Sequence, residues 1–341
     1  MSETIDDLVS AYTLPAPLPK QRSSTRVNWP EHCPHAFVNP FQIEDLLIFD
    51  RQNLARVLAM TQFTPEQLAG SLQQAPPLLI QRVLAGLSSN ERAAFSQALL
   101  CPLPEEERMP GRHLLLDKLF WELTYWKTPE MYEELVAGEQ LHPGIFQQLE
   151  PVLRDKIALD AGAGCGRASF AALEHGATQV YAVEPSPGLR RLFAQKLAAS
   201  SSARAIVLRE GDFTHMPLPN QSVDVTLCCS AFTAEPAQGG ELALAEFRRV
   251  TRAGGYIVVI WPRPIDRPWL AERGFHYIAL PQEQEMFLSF ASWQSAWRCV
   301  QRFYAQNKNV YRYLRHARQP RLPFSVLGIN APCDYCWLQI S

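Results

Sequence analysis

Asp160, Gly162, Gly164 and Gly166 are the residues of this chain whose types and spacing could do chemistry. They read as the end of a short apolar strand entered at Ile157, a glycine-rich turn, and the start of a helix near Gly166. Glycines remove Cβ atoms where the backbone must turn sharply and a ligand must come close. The helix that follows points its unpaired N–H groups back at that ligand. This describes a nucleotide-type site, set against the plainer reading of a tight turn that holds nothing.

The spacing GxGxG departs from the GxGxxG fingerprint of dinucleotide sites and argues against NAD. S-adenosylmethionine carries no phosphate; it offers an amino acid end, a sulfonium and an adenosine. An acidic residue at the strand end suits its ammonium. D-x-G-x-G-x-G before a helix resembles motif I of the class I S-adenosylmethionine-dependent methyltransferases.

Glu184 follows about 20 residues beyond Gly164, at the end of the predicted strand QVYAVEP. A carboxylate there can accept from both ribose hydroxyls and repel a 2′-phosphate. Its alternative is a solvated loop carboxylate. Asp212 ends the third predicted strand, where the resemblance assigns a contact to the adenine amine, with Phe213 beside the ring. The string EGDFTHMPLPNQSVDVTLCCSAF is similar to the corresponding stretch of the methyltransferase group that includes the menaquinone and ubiquinone methylases. The resemblance spans residues 155 to about 262 and, more loosely, the remainder. It implies cofactor contacts at Asp160, Ala161, Gly162, Gly164, Gly166, Glu184, Pro185, Asp212, Phe213 and Cys229. The pattern departs at Pro185, which stiffens its turn, and at Cys228, Cys229 and Ser230, where family members vary with substrate. The acceptor is what these departures leave open.

Methyl transfer is an in-line displacement, so the protein chiefly aligns and desolvates the acceptor. A good nucleophile needs no base. A hydroxyl acceptor would need one, and His215, His142 and His276 are the imidazoles near predicted strand ends. Each also reads as an ordinary hydrogen-bonded or exposed histidine.

These residues must be positioned by alternating strands and helices, which predicts an α/β fold with a parallel doubly wound sheet. A helix from Arg167 stops at Gly176, and Ser186 with Pro187 caps the next, which runs towards Ala199. Strand four is SVDVTLCCS. A helix over roughly 240–252 stops at Gly254 and Gly255 before strand five, YIVVIWP. GFHYIALP and CDYCWLQI supply two more. Seven strands, the last two an antiparallel edge around a helical insert, match the Rossmann-like class I methyltransferase sheet, here with an N-terminal all-α accessory domain.

The chain divides into a proline-rich arm over 1–40, a helical accessory domain over 41–112, connecting helices over 113–150, and the methyltransferase domain over 151–341. In the arm, His32, Cys33 and His35 read as incidental rather than metal-binding. Thr64 with Gln67, and Ser88 with Glu91, are capping boxes in the helical domain. The aromatic cluster Phe120, Trp121, Tyr125, Trp126 and Tyr132 reads as a packing seam. The resemblance adds a second reading, in which Tyr125, Trp126, Tyr132 and His142 close over the cofactor.

Residues 286–331 hold seven Arg and Lys, from Arg298 to Arg321, interleaved with aromatics and without one Asp or Glu. This suits an anionic small molecule or RNA, or a solvated face paired with acidic residues of the N-terminal helices. The whole chain is ordinary: 341 residues, 47% apolar and a formal charge of -2. No apolar run is long enough for a membrane span, and the N-terminus has no signal-like pattern, so a cytoplasmic protein is expected. Eight scattered cysteines read as free thiols, and Cys333 and Cys336, at odd spacing on a predicted strand, point to opposite faces rather than forming a metal pair. The expectation is a methyltransferase acting on a small organic acceptor, with homodimerisation through the N-terminal helices as an option. An RNA methyltransferase and a non-catalytic S-adenosylmethionine sensor stand as alternatives.

Overall fold

A computed structural model describes residues 37–200, 204–236 and 239–341. The metal reading of His32, Cys33 and His35, and most of the proline-rich arm, lie outside them.

A seven-stranded sheet forms from β1 (Ile157–Ala161), β2 (Gln179–Val183), β3 (Ile206–Arg209), β4 (Val223–Cys229), β5 (Thr251–Ile260), β6 (His276–Ala279) and β9 (Asp334–Gln339). Their order is β3-β2-β1-β4-β5-β9-β6. The first five run parallel, with Asp160 level with Ala182 on one side and Leu227 on the other. Strand β9 runs antiparallel between β5 and β6, pairing Ile260 with Tyr335 and Tyr277 with Cys336. A separate pair, β7 (Phe287–Ser289) and β8 (Arg321–Pro323), stands apart from this sheet.

The central strands are short apolar runs because both faces are covered. On one face lie α8 (Pro143–Leu153), α9 (Arg167–Glu174) and α10 (Pro187–Ala198), packing Ile145, Leu149, Ala172 and Phe193 against Ala158 and Val180. On the other lie α11 (Gly240–Val250) and α12 (Arg267–Glu272), packing Leu244, Phe247 and Leu270 against Leu159 and Ile257.

Before the sheet come α1 (Arg51–Met60), α2 (Pro65–Leu72), α3 (Pro77–Gly86), α4 (Ser89–Leu99), α5 (Glu105–Lys118), α6 (Phe120–Lys127) and α7 (Pro129–Val136). Both expected capping boxes form, at Thr64 and Ser88. The stretch 286–331 holds α13 (Trp293–Phe303), α14 (Lys308–Ala317) and α15 (Phe324–Leu327). Its apolar side shares one buried cluster with the early helices, joining Phe303, Val310, Leu314 and Phe324 to Phe49, Leu54 and Phe120.

Three boundaries shift. Strand β3 ends at Arg209, so Asp212 sits three residues past it, in a turn that pairs with His215. Gly254 and Gly255 fall inside β5 rather than before it, because α11 stops at Val250 and the strand starts at once. The basic-aromatic stretch is three helices, α13 to α15, flanked by β7 and β8, whose paired Leu288 and Leu322 are fully buried. Among the described residues no helix is long and apolar enough to cross a membrane.

Candidate functional site

The turn after β1 places three glycines at positive φ: +70° at Gly162, +55° at Gly164 and +92° at Gly166. They serve different ends. A Cβ on Gly162 would lie 2.9 Å from both Phe213 and Ala231, and one on Gly166 would lie 2.3 Å from the Phe193 ring. The protein's own packing therefore requires those two. A Cβ on Gly164 would meet only Tyr132, at 3.9 Å. That glycine faces open space.

The space is a cavity of about 690 Å³ between the glycine turn and residues 132–147. Asp160, Gly162, Gly164, Cys229 and His142 line it; Ala161, Gly166, Glu184, Pro185, Asp212, Phe213, His215 and His276 do not.

Asp160 is buried at the end of β1, where Ser169 donates its hydroxyl to Oδ2 at 2.6 Å. Its Oδ1 is buried with no partner among the described residues. Burial pushes the carboxyl up to about 6, against the opposing pull of Ser169. A buried oxygen left without a donor costs free energy until something supplies one. The ammonium of S-adenosylmethionine is such a donor, so the residues present fit that cofactor.

Glu184 lies just past β2 and is equally enclosed. Its Oε2 accepts the Gly164 N–H at 2.9 Å and its Oε1 the Ser186 N–H at 2.8 Å. Burial pushes it up to about 7, although both backbone donors favour the ionised form. The neighbouring Ser186 hydroxyl donates to the Tyr125 carbonyl at 2.7 Å, which ties α6 to this strand end. Tyr132 meets the Tyr125 ring edge to face at 4.7 Å. Trp126 instead packs against Phe49 in the helical core, as a seam residue would.

Asp212 turns inward on its own loop, where Oδ1 accepts the N–H and hydroxyl of Thr214, each at 2.8 Å. Phe213 packs edge-on to Phe247 at 5.7 Å. The Pro185 carbonyl accepts from Arg190 at 2.6 Å. Ala161 is buried at the strand terminus.

Of the histidines, His142 caps α8, its Nδ1 accepting the Gly144 N–H at 3.1 Å. His215 is exposed beside Asp212. His276 lies tilted against Trp337, ring centroids 4.6 Å apart, and opens β6, a strand that runs parallel to β5. Its place is therefore the edge of the sheet opposite the glycine turn.

Sequence reasoning missed Arg167. It donates to the Glu139 carbonyl at 3.0 Å, the Glu139 carboxylate at 3.1 Å and the Ser230 hydroxyl at 3.1 Å, with Cys229 Sγ at 3.6 Å. It thus joins the glycine turn, the end of β4 and the segment before α8. Burial works against its charge, but Cys229, Glu139 and Tyr132 outweigh this and hold the guanidinium protonated. Burial raises Glu139 in turn, with Arg167 opposing. One signal was available: a cation at the first position of a helix opposes the helix dipole, so it needs another reason to be there. A second cavity pair, Lys196 with Glu133 at 2.5 Å, carried no such signal.

The fold, with an acidic residue and a glycine turn at the end of its first strand, defines a class I methyltransferase. A methyltransferase domain model matches residues 159–259. An uncharacterized methyltransferase of Geobacillus kaustophilus is 30% identical over 168 residues, covering 46% of this chain and 72% of that protein. A demethylmenaquinone methyltransferase of Thermobifida fusca is 28% identical over 133 residues, 35% of this chain and 55% of that protein. Among solved structures, a putative S-adenosylmethionine-dependent methyltransferase from Methanococcus maripaludis aligns with a TM-score of 0.37 and 14% identity. That alignment covers 63% of this chain and 90% of the other. The chain belongs to the methyltransferases.

Proposed function

We propose that this methyltransferase acts on a small organic acceptor by in-line transfer, within the cavity that the glycine turn shares with residues 132–147. The observation that carries the reading is the unpartnered Asp160 Oδ1 beside the open face of Gly164. S-adenosylmethionine supplies an electrophilic methyl when bound. Asp160 takes its ammonium, and Gly164 allows the close approach. Outside the lining of the cavity, Glu184 keeps lone pairs beyond those taken by Gly164 and Ser186 for the ribose hydroxyls, and Asp212 and Phe213 stand behind Gly162 for the adenine.

The cavity volume of about 690 Å³ is in the range of small-molecule sites. Tyr132 and the Arg167–Glu139 pair form part of its wall, and its open side admits an acceptor. Two histidines line the cavity, His142, whose Nδ1 already serves as a helix cap, and His175, whose Nδ1 faces the Glu150 carboxylate at 3.3 Å. The reading therefore favours an acceptor that is nucleophilic by itself.

The test is incubation with methyl-labelled S-adenosylmethionine and a size-fractionated metabolite extract. Label entering the small-molecule fraction supports the proposal. Label entering only protein or RNA overturns it.

A further inference from the structure

The basic and aromatic residues of α13 and α14 take no part in the methyl-transfer cavity. They build a second feature, a groove of about 850 Å³ lined by Trp293, Trp297, Arg298, Gln301, Arg315 and Arg318 among others. The two indoles meet edge to face at 5.4 Å, and Trp297 leans on Tyr311 at 5.6 Å. Trp293 stays 40% exposed. Trp297 Nε1 is buried and has no hydrogen-bond partner among the described residues.

The pairing of these cations with acidic residues is sparse. Arg298 pairs with Glu134 of α7. Arg315 and Arg318 make no ion pair among the described residues, and the stretch 286–331 contains no carboxylate. Arg318 occupies a left-handed position, φ +48°, that glycine or asparagine would fill at less cost. A net charge of -2 gives the chain no general affinity for polyanions, so the groove is a local exception.

An exposed indole flanked by guanidinium groups suits a ligand that alternates flat rings with negative charges. A free anion uses the arginines alone, and an acidic peptide brings no flat faces. A duplex keeps its bases stacked within. We propose that the groove between α13 and α14 binds single-stranded polynucleotide, with a base on Trp293 and backbone phosphates on Arg315 and Arg318. This goes beyond the small-acceptor reading and does not depend on it, since the groove and the cavity share no lining residue.

The test is fluorescence anisotropy of the full chain with labelled oligouridylate and oligothymidylate of equal length, across a salt series. Two phosphate contacts predict a log–log salt slope of about -1.4. Arg315→Glu with Arg318→Glu flattens that slope, and Trp293→Ala weakens binding roughly tenfold or more. Both variants keep wild-type binding of S-adenosylmethionine, which shows that they fold. Binding of both oligonucleotides, or of oligouridylate alone, supports the site; the second assigns it to RNA. Failure to bind either at low salt overturns it. So does affinity unchanged in the variants, or displacement by polyglutamate as effective as by unlabelled oligonucleotide.

Discussion

Glu184 and Gly164 are joined directly, the carboxylate at the end of β2 accepting the backbone N–H of the turn after β1 at 2.9 Å. Two motifs 20 residues apart are thus one object. The glycine that faces the cavity is fixed by the carboxylate proposed to hold the ribose, so any change at Glu184 moves the glycine loop as well. Glu184→Gln retains the shape but turns one acceptor into a donor. It is expected to weaken S-adenosylmethionine by about tenfold or more, as loss of a charge-assisted contact would. Titration calorimetry on the variant reads this.

The glycines separate by role. Gly166→Ala places a methyl against the Phe193 ring and strains a left-handed residue. It is expected to lower stability by roughly 2–5 kcal/mol. Gly164→Ala meets open space and pays only the backbone strain, roughly 1–2 kcal/mol. Thermal unfolding ranks the two, and cofactor titration then shows the larger loss of binding in the Gly164 variant.

Asp160 makes binding depend on pH. Its carboxyl is raised from an ordinary 3.8 to about 6, so the folded protein holds a proton there that the unfolded chain releases. Stability is greatest below the ordinary value and falls as pH rises through the folded one, by roughly 3 kcal/mol in all. Cofactor binding has the opposite sign, because the ammonium prefers the carboxylate. Affinity is expected to hold above pH of about 6 and to fall up to tenfold per unit below it. Asp160→Asn removes the Asp160 part of both slopes and leaves that of Glu184, which burial raises to about 7, as melting curves and titrations over pH 4.5 to 8 would show.

Arg167 and Glu139 form a largely buried pair, their side chains 27% and 11% exposed. Arg167→Ala strands the carboxylate and is expected to cost on the order of 3 kcal/mol. Arg167→Ala with Glu139→Gln should recover part of that loss. Denaturant unfolding of the two variants measures the recovery.

His215 and His276 lie outside the cavity, so His215→Ala and His276→Ala are expected to leave turnover within about twofold of wild type. A methyl-transfer assay with the acceptor in hand checks both.

The sheet was legible because its strands are short apolar runs closed by glycine, proline or acidic residues, and β1, β2, β4 and β5 are each followed by a helix. Asp160 and Gly164 were legible for the same reason, since their chemistry is local. What escaped the sequence was tertiary. The roles of Gly162 and Gly166 depend on Phe213 and Phe193, which are far along the chain. Arg167 meets Glu139 and Ser230 only once β4 and the segment before α8 are in place. The position of Asp212 in a turn, rather than at a strand end, comes from its own bonds to Thr214, which compete with the ladder.

The most direct measurement is calorimetric titration of wild type and Asp160→Asn with S-adenosylmethionine, S-adenosylhomocysteine and NAD. Wild type is expected to bind the two adenosyl ligands and not NAD, and Asp160→Asn to weaken both by about tenfold to a hundredfold. Equal affinity in wild type and variant, or binding of NAD, would contradict the site as drawn.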